Sequence, residues 1–163
     1  MITVFCPTCG APNKEDAKEC EKCGSEIRQE HGDFVENLIH FSLKHQVPEV
    51  AQFAAQALGK IGDRRSVEPL IEVLEAPHEP GLMEAATEAL GKLGDPRAVP
   101  VLSHVLAEGS LLFRLRAATS LGQIGGEAAA RALKQASSQD TNKVVRDEAE
   151  KSLKQIERTQ NRS

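Results

Sequence analysis

Apolar and polar positions repeat along most of the chain. Segment 57–63, ALGKIGD, returns 32 positions later as ALGKLGD at 89–95, and weaker copies occupy 120–125 and 152–156. In each copy the Leu and the following apolar residue, three positions apart, share one face of a helix. The Gly residues permit a tight turn, and the Asp can cap the next helix. The repeat therefore predicts stacked helix–turn–helix units.

The periodic apolar positions predict about eight helices. They are expected at 33–45, 50–61, 64–76, 82–93, 96–108, 111–124, 127–137 and 141–158. The first is half a unit, and the last is charged on its outer face, as a terminal helix of a stack must be. The predicted core consists of the apolar residues that recur in register: Leu38, Leu58, Ile61, Val67, Leu70, Leu74, Leu90, Leu93, Val99, Leu102, Leu121 and Ile124.

Composition supports an all-α fold for the repeats. Of the residues, 40% are apolar but only 3% are aromatic, and small aliphatic side chains suit closely packed helices. No stretch has the features of a signal peptide or the roughly 20 apolar residues of a membrane span, so we expect a cytoplasmic protein without membrane association. The net charge of −4 gives no general attraction to nucleic acid.

All four cysteines lie near the N-terminus. Cys6 and Cys9 form one Cys-x-x-Cys pair, and Cys20 and Cys23 form a second. Two such pairs joined by a short connection can bring four thiolates around one tetrahedral Zn²⁺, at S–metal distances of about 2.3 Å. Disulfides, a thioredoxin-type redox pair and rubredoxin-like iron are the alternatives, and a structural zinc fits the spacing and the lack of an export signal best.

The segment 5–24 closely resembles the short zinc-ribbon family. That resemblance implies two zinc knuckles around one structural zinc, with short strands at Ile2–Phe5 and Glu26–Arg28, and a domain spanning 1–28. Nucleic-acid binding is not favoured, because acidic residues outnumber basic ones over 1–30 and four thiolates add negative charge. Phe5 is the only aromatic residue there that could stack on a base.

The repeats resemble the HEAT-like repeats first named from phycobilisome lyases. The similarity rests on FR-xx-AA-x-SLG at 113–122, VR-xx-A-xx-SL at 145–153 and the two ALGK motifs, and it extends over about 33–157. It implies a domain at 29–163 whose helix pairs form an α-solenoid, with the second or return helix of each pair lining a concave binding face. Two helices lack the arginine, and Gly126 stands where Asp is usual.

Two enzymatic functions of related families are disfavoured. A branch resembling deoxyhypusine hydroxylase binds iron through His-Glu pairs, but the matching positions here hold Gln52-Phe53, Glu84-Ala85, Leu115-Arg116 and Asp147-Glu148. The resemblance to bilin lyases rests on the repeats alone, which are scaffold.

One polar position recurs on the predicted return helices. It holds His40, Glu72, His104 and Gln135, which we call the return-helix row. The row is either a solvated surface or a recognition surface for a partner protein. With Glu68 and Glu75 beside Glu72, a basic segment of the partner is expected there.

We therefore expect a non-catalytic protein-interaction scaffold that carries one structural Zn²⁺ bound by the four cysteines. The alternatives are an accessory or lyase-like subunit of an enzyme complex and, with less support, a nucleic-acid-associated zinc-ribbon protein.

Overall fold

The N-terminal module contains a small β-hairpin. The computed structural model describes residues 3–6, 9, 11–14, 17–25 and 34–160. Strand β1 (Thr3–Phe5) pairs antiparallel with β2 (Pro12–Lys14), with Val4 opposite Asn13. The strand expected at Glu26–Arg28 and the boundary expected between 28 and 29 lie outside the described residues. The observed partner of β1 is the segment between the two cysteine pairs, which apolar patterning did not mark as a strand.

Helices make up the rest of the described chain. Their bounds are α1 (Phe34–Asn37, continued by a π-helical segment, Leu38–Ser42), α2 (Pro48–Ile61), α3 (Val67–Glu75), α4 (Pro80–Leu93), α5 (Val99–Glu108), α6 (Leu111–Ile124), α7 (Gly126–Gln139) and α8 (Lys143–Gln160). Short 3-10 turns, Arg64–Ser66 and Pro96–Ala98, precede α3 and α5. The helix predicted to run to His45 ends at Ser42, and its expected Asp33 cap lies outside the described residues.

The turns between paired helices follow from the repeated motif. Gly62 and Gly94 adopt the left-handed conformation with φ of 77° and 65°, which glycine reaches without a steric penalty. After each glycine an aspartate accepts a hydrogen bond from a backbone N–H two residues later, Arg65 N to Asp63 at 2.9 Å and Arg97 N to Asp95 at 3.0 Å. The α2–α3 and α4–α5 pairs are thus closed by the residues that recur in sequence.

The helices form two layers. The first helices α2, α4, α6 and α8 pack on one another in order, while the return helices α3, α5 and α7 each pack on the following first helix. The core lies between the layers, where Leu58, Leu90 and Leu121 are completely buried. The fold is therefore the all-α solenoid expected from the period, preceded by the small hairpin.

Most of the predicted core residues are buried, but the prediction is wrong for Ile61. Ile61 is 44% exposed, because no first helix precedes α2 among the described residues to cover that side. Leu38, Leu93 and Ile124 are partly buried and pack against the core.

Small residues set the close spacing of the first helices. A methyl group added to Gly59 would lie 2.7 Å from Ala89 Cα, and one added to Gly122 would lie 2.7 Å from Ser152 Cβ. Gly91 meets Ser120 in the same way. The glycine of each motif therefore leaves room for an Ala or Ser of the next first helix. That Ala or Ser stands two residues before the residue that is equivalent to the glycine. In α8 the position equivalent to these glycines holds the exposed Lys154.

Candidate metal centre and partner surface

The four cysteines converge on one point. Their Sγ atoms all lie within 4.8 Å of one another, with Cys6 to Cys23 and Cys9 to Cys20 each at 3.6 Å. Cys6 and Cys20 are buried, whereas Cys9 and Cys23 are exposed. The predicted ligand set is thus brought together by the two turns and the β-hairpin that connects them.

This cluster has the dimensions of a tetrahedral thiolate site. Four sulfurs at about 2.3 Å from a central ion would be about 3.8 Å apart, close to the two shortest S–S distances observed here. A set of four thiolates selects Zn²⁺ or another thiophilic ion and leaves no open coordination position. The residues present therefore fit a structural metal.

Backbone and side-chain donors surround the sulfurs. Burial works against the Cys20 thiolate, but the N–H groups of Cys23 and Lys22 donate to its sulfur, and the net effect lowers its pKa to about 6. Hydrogen bonds from the Ser25 hydroxyl and N–H lower the pKa of Cys23. For Cys9, the Ala11 N–H favours the thiolate, yet desolvation and the neighbouring thiols raise the pKa to about 12. Donors aimed at sulfur, as expected of zinc knuckles, stabilise negative charge on two of the ligands.

Asn13 links the two cysteine pairs. Its buried Nδ2 donates to Ala11 O at 2.7 Å and lies 3.7 Å from Cys20 Sγ, and its Oδ1 accepts from Glu21 N at 3.0 Å. The side chain therefore holds the first turn against the second. This residue was not predicted from the sequence, where the only signal for it was an amide side chain midway between the two cysteine pairs.

The return-helix row is exposed along its whole length. His40 lies in the π-helical segment, Glu72 in α3, His104 in α5 and Gln135 in α7, and each side chain faces solvent. The structure thus places the row on four successive elements, as the period predicts.

Two grooves lie beside the row. One, of about 410 Å³, has Glu72 in its wall and runs between the end of the π-helical segment, α3 and the start of α4. The other, of about 230 Å³, has Gln135 in its wall and lies between α5 and α7. Neither groove is lined by His40 or His104. The two grooves are concave enough for side chains of a partner to fit into the return-helix side.

Arginines of the turns tie successive units together. Arg65 reaches Glu36 at 3.4 Å, and Arg97 reaches the equivalent Glu68 at 2.9 Å. Hydrogen bonds from the Arg97 side chain and N–H lower the pKa of the buried Asp95 carboxyl. The next unit lacks this ion pair, because Ala128 stands at the arginine position and Pro100 at the glutamate position. Neither link was predicted from the sequence.

The arginines of the two Arg-containing motifs meet at the loop before α8. Arg114 Nε lies 3.2 Å from Asp140 Oδ2 without the alignment of a hydrogen bond, and Arg146 Nη1 donates to Asp140 O at 2.7 Å. These residues fix the start of the last helix.

The positions that correspond to the iron ligands of the hydroxylase branch hold an ion pair. Arg116 of α6 contacts Glu84 of α4 at 2.8 Å and Glu88 at 3.0 Å. These side chains therefore join adjacent first helices. Among the described residues, the four cysteines form the one cluster able to hold a metal through His, Cys, Asp or Glu.

Comparison with known proteins covers both parts of the chain. Residues 5–27 match a zinc-ribbon domain, 35–112 match HEAT repeats and 113–139 match the PBS lyase HEAT-like repeat. No curated protein is significantly similar to the chain. In the part of the chain that the structure describes, no helix combines the length and apolar character needed to cross a membrane.

A similar solved structure is the complex of CpcE and CpcF of phycocyanin lyase from Nostoc sp. PCC7120. The alignment has 28% sequence identity and a TM-score of 0.63, and it covers 83% of this chain and 59% of that one. The chain thus spans less than two thirds of the solved chain. Motifs, fold and comparisons agree that this protein is a zinc ribbon followed by HEAT repeats that include the PBS lyase HEAT-like type.

Proposed function

We propose that this protein is a non-catalytic interaction subunit whose solenoid binds a partner protein. The observation that carries the proposal is the return-helix row. Its four exposed side chains, which are two histidines, a glutamate and a glutamine, lie on alternate helical elements, while the core leucines of the repeats stay the same. A rigid lattice of this kind suits recognition of an extended protein surface. The similarity to a chain solved within a two-protein complex also favours a role in an assembly.

We infer that the return helices line a concave face and that the partner docks there. Glu72 and Glu75 are both exposed there, whereas the neighbouring Glu68 is paired with Arg97. A basic segment of the partner would complement the two glutamates and would make the association rate fall as salt concentration rises.

The ribbon, proposed to span 1–28, is assigned one structural Zn²⁺ bound by Cys6, Cys9, Cys20 and Cys23. The supporting observations are the converging sulfurs and the donors around them. When bound, the ion would cross-link two turns that have only a few apolar contacts of their own. Because thiolate ligands must stay reduced, we place the protein in a reducing compartment such as the cytoplasm.

A second candidate is a lyase-like accessory subunit. It is favoured by the match of 113–139 to the PBS lyase HEAT-like repeat and by the similarity to the phycocyanin lyase complex. The two candidates are separated by adding the purified protein to a phycocyanin lyase reaction from which one subunit has been omitted. Restored activity would support the lyase-like subunit, and no restoration together with stable partner binding would support the scaffold.

The main proposal is tested by affinity capture from the native cell with a Glu72→Lys/His104→Lys variant. Both positions are exposed, so the change should leave thermal stability unaltered while it weakens partner capture. The matched control is Gln155→Lys/Glu157→Lys on exposed positions of α8, which adds the same positive charge away from the row. Equal capture by the wild type and both variants would contradict the proposed surface.

A further inference from the structure

Exposed apolar side chains are concentrated at one end of the solenoid. Six of the nine large apolar residues that the structure shows as exposed precede residue 62: Phe34, Phe41, Val47, Val50, Phe53 and Ile61. Three of them, Val50, Phe53 and Ile61, lie at helical spacing on α2 together with the half-buried Ala57. We call these four residues the α2 face.

The same positions are covered in the next first helix. The α4 residues equivalent to Val50, Phe53 and Ala57 are Leu82, Ala85 and Ala89, and all three are buried. They are covered because α4 packs on α2, whereas no first helix precedes α2 among the described residues. The α2 face is thus the side that a repeat uses for stacking, left open at this end of the array.

A further repeat helix of the same kind does not fit there. The stacked helices approach so closely that a methyl group on Gly59 would lie 2.7 Å from Ala89. At the position of the buried Ala85 of α4, α2 presents Phe53, which is 68% exposed and far too large for that spacing. The zinc ribbon is also a poor complement, because its exposed described side chains are mainly charged: Lys14, Lys18, Glu19, Glu21 and Lys22.

We propose that the α2 face is the interface through which two copies of this chain form a two-fold symmetric dimer. Two α2 helices packed antiparallel can place Phe53 of one copy over the small Ala57 of the second copy, so that large and small residues interdigitate. The same register brings Glu49 of one copy close to Lys60 of the other. Both charged residues are exposed beside the face, and neither is ion-paired with another residue that the structure describes.

The other end of the solenoid favours closure at a dimer over a growing filament. On α8 the position of the packing glycines holds Lys154, which pairs with Glu150 at 2.6 Å. An α2 face meeting this end would bury that ion pair against apolar side chains, at an energetic cost. Self-association is therefore expected only between two α2 faces.

The proposal is tested by analytical ultracentrifugation of the full-length protein at about 1 µM to about 500 µM. Wild type should form dimers, and Phe53→Ser should raise the dimer dissociation constant at least about tenfold, since a central aromatic residue dominates such interfaces. The matched control Leu112→Ser changes another half-exposed apolar residue, on α6, and should leave the constant unchanged. Thermal melts by circular dichroism confirm that each variant is folded.

A charge swap provides a second measurement that does not depend on Phe53. Glu49→Lys alone and Lys60→Glu alone should each weaken the dimer, and the combined variant should restore it. A wild type that stays monomeric throughout would overturn the proposal. So would a dimer that Leu112→Ser disrupts and Phe53→Ser does not, or a combined variant weaker than either single one. None of these results bears on the return-helix row, so the two proposals fail separately.

Discussion

Replacing Leu90 by alanine tests the repeat register at the centre of the solenoid. Leu90 lies in α4, which packs against both α2 and α6, and its side chain is completely buried. It is equivalent to Leu58 and Leu121, which are also completely buried. The substitution removes three carbon atoms from the middle of this row without touching a polar group.

The expected loss follows from burial and from the small residues nearby. Three methylene-sized groups at about 0.8 kcal/mol each give about 2.4 kcal/mol of lost transfer free energy. Helices α2 and α4 are already in close contact at Gly59 and Ala89, so they have little room to collapse into the cavity. A residual cavity of about 50 Å³ would add about 1 kcal/mol, for a total of about 3.5 kcal/mol.

The assay is urea unfolding of the full-length protein followed by helical circular dichroism. The control is Leu112→Ala, at a residue that is 48% exposed, which should lower the free energy of unfolding by less than about 1 kcal/mol. A loss for Leu90→Ala below about 1 kcal/mol, or one equal to that of the control, would show that the position is not the packed core site described here.

Three further predictions concern the metal centre and the turns. Purified protein should contain one Zn²⁺ per chain, and a chelator should unfold the ribbon while leaving the helical circular dichroism; protein without zinc, or loss of most helical signal, would contradict this. Asn13→Ala should weaken zinc retention about 10-fold to 100-fold relative to Lys18→Ala, because the amide links the two cysteine turns; equal retention would count against that role. Asp95→Ala should lower the free energy of unfolding by about 0.5–2 kcal/mol at pH 7. Arg97 holds the pKa of Asp95 below its unfolded value, so the stabilisation by the Asp95 carboxylate is present above about pH 4 and is lost as pH falls further. The difference in unfolding free energy between Asp95→Ala and wild type should therefore narrow in urea titrations at acid pH. A difference that stays constant with pH would refute the charge interaction.

The repeated fold could be predicted because its determinants are local and periodic. Leu58, Leu90 and Leu121 identify the buried core positions. Asp63 and Asp95 identify helix starts, where each carboxylate accepts a hydrogen bond from a backbone N–H. The metal ligands could be predicted for the same reason, since Cys-x-x-Cys spacing determines which sulfurs a turn can present.

Features that depend on a neighbour could not be read from the period. Ile61 occupies the same position as Leu93, yet it is exposed. Helix α4 packs on the preceding first helix, α2, whereas no first helix precedes α2 in the part of the chain that the structure describes. Asn13 and the Arg97–Glu68 pair join segments that only the folded chain brings together. The strand Pro12–Lys14 could not be predicted, because it has no alternating apolar pattern and pairs through its connection to the cysteine turns.

Hydrogen exchange of the captured partner complex tests whether the return helices bind the partner. Amide protection should be compared between the free protein and the complex, with peptides assigned to the ribbon, the first helices and the return helices. We expect added protection along α3, α5 and α7, centred on Glu72, His104 and Gln135. Added protection confined to residues 3–25, or to α2, α4 and α6, with the return helices unchanged, would contradict it.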